Sequence, residues 1–129
     1  DKDPRIRAMS AINLGKIGKN IGLAALLEIV QTKDFQKKDP SEIKGFLDAI
    51  GMVGSNEALP VLQQLLERKS LLGIGKREDI RPAVANALAM IGTPEARGIL
   101  ERGKNSKDEG IRNACQQAFK TLSPKEPAA

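Results

Sequence analysis

The stretch that decides the fold is Asp39-Pro-Ser-Glu-Ile-Lys-Gly-Phe-Leu-Asp-Ala-Ile-Gly-Met-Val-Gly54. It aligns without gaps with Asp3-Pro-Arg-Ile-Arg-Ala-Met-Ser-Ala-Ile-Asn-Leu-Gly-Lys-Ile-Gly18. Two further copies lie at residues 80–92 and 111–122. One equivalent position in the four copies is occupied by Leu14, Ile50, Leu88 and Phe119, which lie 36, 38 and 31 residues apart. Such a period is typical of repeat proteins, whose units stack on one another.

Each copy predicts a helix, a tight turn and a second helix. The apolar residues of the third copy follow the 3.6-residue period of an amphipathic helix: Ile80, Val84, Ala85, Leu88 and Ile91. The first three copies continue into a second apolar pattern, at residues 21–30, 57–66 and 95–102. Glycine adopts the left-handed turn at little cost, so the first helices are predicted to end at Gly18, Gly54 and Gly92.

The helix starts carry capping signals. Asp39 stands at a predicted N-cap, Pro40 at the first helical position and Glu42 three residues after the cap. The second helices are predicted to be capped by Asn20, Asn56 and Thr93-Pro94. We therefore predict no strand and seven helices, near residues 4–17, 20–31, 40–53, 57–69, 79–91, 94–103 and 108–121.

The composition of the chain excludes several function classes. Its 129 residues, 40% hydrophobic and 29% charged, suit one globular domain. There is no His, Trp or Tyr and only one Cys, which excludes Ser–His–Asp and Cys–His catalysis and argues against a metal site. Three Phe residues offer little for base stacking. We therefore predict no catalytic, cofactor-binding or metal-binding residue and no cofactor.

The net charge of +5 permits weak attraction to phosphates, but only a clustered basic patch would make it matter. A single cysteine cannot form an internal disulfide, which fits a reducing cytoplasm, so we expect a cytoplasmic location. No apolar run is long enough to span a membrane. The chain begins at Asp1 inside a repeat, and we expect it to be a piece of a longer protein.

The pattern Asp-x-x-Ile-Arg, Ala-x-x-Leu-x-x-Ile-Gly-x-x-Glu-Ala and Ile-Leu resembles the HEAT-like repeats of the phycocyanobilin-lyase (PBS-lyase) type, over residues 3–122. The resemblance implies a right-handed alpha-solenoid of about 3.5 repeats in a bacterial or archaeal protein, with the second helices lining its concave face. We expect a single domain over 1–122, with repeats near 3–38, 39–76, 77–105 and 106–122. Residues 123–129 are predicted to form a flexible tail, because they hold two prolines and little apolar surface.

Some recurring residues are interpreted as structural. Arg7, Arg81 and Arg112 occupy one repeat position, and we expect each to pair with an Asp or with carbonyls of a neighbouring repeat. Ile43 stands at that position in copy two, so a ladder would be broken there. Cys115 is predicted to be a buried small hydrophobe, since no His can activate it. The carboxylate pairs Asp108-Glu109 and Glu78-Asp79 are predicted to cap helices.

The leading hypothesis is a non-enzymatic protein-interaction or scaffold module that uses the concave face, because such repeats serve as scaffolds more often than as enzymes. The outward residues of the second helices are the candidate partner-binding residues: Leu59, Gln63, Glu67, Arg97, Glu101 and Arg102, with Gln64 beside them. Leu59 aligns with Arg97, so this surface is predicted to change from apolar to cationic along the stack. That change favours an acidic peptide with a hydrophobic anchor.

Three alternatives stay open. Weak nucleic-acid or phosphate binding would use the glycine-containing insertion that carries Arg68, Lys69, Lys76 and Arg77. The competing interpretation of that insertion is a solvated connection whose apolar residues fold back onto the core. The PBS-lyase label implies bilin-lyase activity, which is disfavoured because no acid–base set is present. Exposed end repeats would allow self-association.

Overall fold

The structure, a computed structural model, describes residues 19–67 and 80–122. In this part of the chain there are two short 3-10 turns, Phe35–Lys37 and Asn56–Ala58, and no strand. The α-helices are α1 (Lys19–Val30), α2 (Pro40–Val53), α3 (Leu59–Glu67), α4 (Arg81–Ile91), α5 (Pro94–Lys104) and α6 (Glu109–Leu122). The predicted all-α class is confirmed.

The predicted helix bounds agree with the observed ones to within one or two residues, with one correction. Residues 57 and 58 were assigned to a second helix, but they belong to the 3-10 turn, and α3 begins at Leu59. The predicted first helix at 4–17, the insertion at 68–77, the predicted cap Glu78-Asp79 and the tail at 123–129 lie outside the described residues.

The first helices of copies two and three end as predicted. Gly54 (φ 73°) and Gly92 (φ 67°) adopt the left-handed conformation, which a residue with a Cβ rarely takes. Their N–H groups donate to the carbonyls of Ile50 and Leu88, which closes each last turn. Gly18 lies outside the described residues.

Two predicted caps are confirmed. The Thr93 hydroxyl accepts from the N–H of Ala96 (3.2 Å), with Pro94 at the first helical position. The Asp108 carboxylate accepts from the N–H groups of Gly110 (2.8 Å) and Ile111 (3.2 Å). Both side chains satisfy N–H groups that the first turn of a helix leaves without intrahelical partners.

Three other predicted caps differ from the structure. Asp39 occupies the N-cap of α2 with Pro40 in the first turn, as predicted, but its carboxylate makes no cap hydrogen bond. Asn20 lies inside α1, not before it. Ser55 occupies the cap before the 3-10 turn and accepts from the N–H of Glu57 (3.1 Å), which leaves Asn56 free for contacts with copy three. The Asn56 side chain accepts from the Thr93 hydroxyl (2.6 Å) and donates to the Glu95 carboxylate (3.1 Å).

The helices form two layers. The first helices α2, α4 and α6 pack on one another in chain order, while α1 packs beside α2, α3 beside α4, and α5 against both α4 and α6. Helix α4 lies at the centre, and its predicted apolar stripe is buried there, with Val84, Ala85 and Leu88 fully inaccessible. The stacked helical hairpins therefore share one continuous core.

Two glycines allow neighbouring helices to approach closely. A Cβ at Gly51 of α2 would lie only 2.9 Å from Met90 Cβ of α4. A Cβ at Gly103 of α5 would collide with the Cys115 sulfur of α6 and lie 3.2 Å from its Cβ. A larger residue at either position would force the helices apart.

One arginine links two copies as predicted. The Arg81 guanidinium donates to the Asp108 carboxylate of the next copy (3.1 Å). The same guanidinium lies against Gly110, where a Cβ would leave it no room. Arg112 donates to the Ser106 carbonyl (2.9 Å) within its own copy, so for this residue the expected bond to a neighbouring repeat is wrong. Ile43, at the same position of copy two, is a buried core residue.

Replacement of Asp108 by alanine is expected to lower the free energy of unfolding by about 1–2 kcal/mol, the usual cost of a lost N-cap. The change also removes the ion pair with Arg81. Asp108→Asn keeps a cap acceptor without the charge and is expected to cost less. Urea unfolding measures both, and equal stabilities for Asp108→Ala and the parent chain would contradict the cap assignment.

Within residues 19–67 and 80–122, no helix is both long enough and apolar enough to cross a membrane.

Candidate partner-binding site

Two grooves flank α3 on the layer of second helices. The α3–α5 groove, about 340 Å³ in volume, lies between α3, α5 and the start of α6; it is lined by Gln63, Leu66, Glu67, Ile99, Arg102, Gly103, Ser106 and Ile111. The α1–α3 groove, about 470 Å³, lies between the end of α1 and α3; it is lined by Gln31, Pro60, Val61, Gln63, Gln64 and Glu67. Gln63 and Glu67 line both grooves, because α3 separates them.

The α3–α5 groove has an apolar floor. Leu66 and Ile99 are 2% and 7% exposed, so each presents only an edge to the groove, and Ile111 is partly buried beside them. Gly103 carries no side chain there and lets the start of α6 come close to α5. An apolar side chain of a ligand placed on this floor would exchange water for contacts with these residues, which is favourable.

Most carboxylates around this groove already have partners. Glu67 accepts from the Gln63 amide (3.4 Å), and Glu101 lies 3.7 Å from the Lys104 ammonium. The Asp108 carboxylate is held by Arg81 and by the first turn of α6. The charges of Glu101 and Asp108 are therefore partly compensated by cations, whereas Glu67 has, among the described residues, only a neutral hydrogen-bond donor.

Arg102, on the rim of the same groove, differs from these carboxylates. Its side chain is exposed, and within the described residues no group accepts a hydrogen bond from its guanidinium or pairs with it. The guanidinium lies along α5 beside Gly98, where a Cβ would be 3.7 Å from Nη1. Its planar array of donors is therefore available to a carboxylate of a ligand.

The structure brings some of the predicted site residues together and separates others. Gln63, Glu67 and Arg102 meet at the α3–α5 groove. Arg97 and Glu101 lie on α5 but line neither groove. Gln64 lines the α1–α3 groove. The basic insertion with Arg68, Lys69, Lys76 and Arg77 lies outside the described residues.

The assignment of Leu59 to the outward surface is wrong. Its side chain is 7% exposed and belongs to the core. Arg97, which aligns with Leu59, is only partly exposed, so this position lies at the edge of the core in both helices. The apolar side chain of Leu59 packs into the core there, whereas the charged end of a longer arginine side chain can reach water.

Sequence reasoning did not include the wall that α6 contributes to the groove. Ser106 precedes α6 and Ile111 lies in its first turn, and both line the α3–α5 groove. A signal for this was present: only four residues, 105–108, separate the end of α5 from the start of α6, so the two must lie close together.

The described residues hold no metal cluster and no activated nucleophile. No group of three or more His, Cys, Asp or Glu residues among them could hold a metal ion. Cys115 is fully buried, as predicted, and burial raises the pKa of its thiol, which disfavours the reactive thiolate. Nothing in the grooves therefore resembles a catalytic constellation.

Comparison with known proteins places the fold in a family. No protein of curated function matches the chain. A family model described as HEAT repeats matches residues 36–120, which run from the turn before α2 almost to the end of α6. Since this match covers most of the chain, the protein belongs to the HEAT-repeat family.

Proposed function

We propose that this chain is a non-enzymatic module that binds a segment of a partner protein on its layer of second helices. HEAT repeats generally mediate protein–protein interaction. The absence of His, Tyr and Trp from the whole sequence supports a role without acid–base chemistry. For the same reason we do not propose bilin-lyase activity. The single free cysteine supports the expected cytoplasmic location.

The proposed binding site is the α3–α5 groove, and its ligand is an acidic peptide segment with one apolar anchor. The observation that carries this proposal is the combination of an apolar floor, formed by Leu66, Ile99 and Ile111, with the guanidinium of Arg102 on the rim, which has no partner among the residues that the structure describes. The anchor would cover the floor, and a neighbouring carboxylate would take the bidentate donors of Arg102. Leu59 takes no part, because it is buried.

Nucleic-acid binding is the competing function, because the chain has a net charge of +5. A phosphate backbone would use Arg102 but would leave the apolar floor without a matching group. The two functions differ in salt dependence, since phosphate contacts release counterions and weaken steeply as salt rises. Retention on duplex DNA with such a slope, without selection of any acidic peptide, would favour nucleic acid over the proposal.

Arg102→Glu is expected to weaken binding of an acidic peptide at least about tenfold, or about 1.4 kcal/mol, because attraction becomes repulsion. The probe is the peptide that a random phage-displayed library yields when it is selected on the full chain. Fluorescence anisotropy measures its affinity, and we expect Asp or Glu beside Leu, Ile or Phe in the selected peptides.

Lys120→Glu is the matched control. It makes the same change of charge at an exposed residue of α6 that does not line the groove. The melting temperatures of both variants should stay close to that of the parent chain, since both side chains are exposed. Equal affinity of the Arg102→Glu and Lys120→Glu variants for the peptide would contradict this site and make the basic insertion the next candidate.

A further inference from the structure

One row of residues on each first helix faces the next first helix of the stack. Gly51 of α2 faces α4, because a Cβ there would lie 2.9 Å from Met90 Cβ and 3.2 Å from the Ala87 carbonyl oxygen. Arg81 of α4 faces α6, because it bonds to Asp108 and covers Gly110. We call the residues at these aligned positions of each first helix its stacking row. It comprises residues 43, 47 and 51 in α2, residues 81, 85 and 89 in α4, and residues 112, 116 and 120 in α6.

The stacking rows of α2 and α4 suit close packing. In α2 the row consists of Ile43, Leu47 and Gly51, all buried. In α4 it contains two alanines, Ala85 and Ala89, which are 0% and 7% exposed. Small and apolar residues at helical spacing let the next helix approach without burying a polar group.

The stacking row of α6 has the opposite character. Gln116 and Lys120, which replace the two alanines of α4, are exposed. Arg112 is partly buried and donates to the Ser106 carbonyl of its own copy, so it is not directed to a following repeat. A further helix on this face would have to bury an amide and an ammonium group, which is costly without matching partners.

We infer that α6 is a capping helix of the described stack and that its stacking row does not pair with a second copy of the chain. Terminal repeats of solenoids need a polar outer face to stay dispersed in water, and Gln116 and Lys120 provide it here. On this inference, self-association does not run through this end of the stack.

The test gives α6 a stacking row like those of α2 and α4. In the full chain, the double substitution Gln116→Leu and Lys120→Ala places leucine where α2 has Leu47 and alanine where α4 has Ala89. Sedimentation velocity is recorded over a wide range of protein concentration. We expect the weight-average mass of this variant to rise with concentration toward about twice that of the parent chain, as two uncapped faces pair.

Two controls make the result decisive. Gln117→Leu with Thr121→Ala adds similar apolar surface on the neighbouring exposed row of α6 and is expected to sediment like the parent chain. Lys120→Glu should leave the mass of the parent unchanged. The inference is overturned if Lys120→Glu lowers that mass, if the test variant sediments like the parent, or if both double variants associate equally. Circular dichroism confirms that each variant keeps its helices.

Discussion

Replacement of Phe35 by alanine is expected to lower the free energy of unfolding by about 3–5 kcal/mol, a large part of the stability of an ordinary domain. Phe35 lies in the 3-10 turn between α1 and α2, and its side chain is completely buried. Its ring meets that of Phe46 edge to face, with the centroids 6.0 Å apart. The substitution would leave a cavity where the connection between two copies is anchored in the core.

Urea unfolding followed by circular dichroism measures this loss. Phe119→Ala is the matched control, because Phe119 is only partly buried and has the Lys104 ammonium 4.3 Å above its ring. We expect the control to cost clearly less, since water can fill part of the space that it leaves. If Phe35→Ala and Phe119→Ala proved equally mild, Phe35 would not anchor the turn.

Leu88→Ala is expected to cost about 2–5 kcal/mol, because the loss of buried methyl groups adds to the cavity left behind. Leu88 lies in the middle of α4, the helix that contacts α2, α3, α5 and α6, and none of its surface is accessible. Few neighbours can move into the space, since this helix is enclosed on several sides. The effect should therefore lie well above that of an average substitution.

Met52→Ala is the control for Leu88→Ala. Met52 is 40% exposed on α2, so its truncation removes less buried surface and opens no closed cavity. Thermal and urea unfolding of the two variants should differ by more than about 1 kcal/mol. A Leu88→Ala variant as stable as the Met52→Ala variant would show that the alignment of the four copies places the core incorrectly.

The sequence alone predicted the helices, their order and most of their ends. This was possible because these features depend on local chemistry: apolar residues at helical spacing, glycines such as Gly54 and Gly92 in the left-handed conformation, and caps such as Thr93 and Asp108. The repeat alignment also predicted that Leu88 and Cys115 are buried, because equivalent positions in stacked repeats meet equivalent neighbours.

The candidate site was predicted only in part. The alignment placed Gln63, Glu67 and Arg102 on second helices, and in the structure these three residues line one groove. It assigned Leu59 to the surface together with Arg97, but this position lies at the edge of the core, where an apolar side chain is buried. Arg97 is on the predicted helix, but only the packing of α3 against its neighbours determines which residues of α5 reach a groove.

Other features depended on contacts between residues distant in sequence, which no local pattern specifies. Phe35 lies in the short connection between α1 and α2, yet its ring is buried in the core against that of Phe46. Asn56 was predicted to cap a helix and instead binds Thr93 and Glu95 of the next copy. The sequence determined which segments are helical and in what order they stack, since backbone preferences and apolar periodicity act within a few turns. The tertiary structure decided which side chains are buried, which connect two copies and which line a groove. The physical reason is that the free energy of burial depends on the residues of the neighbouring helix that a side chain contacts.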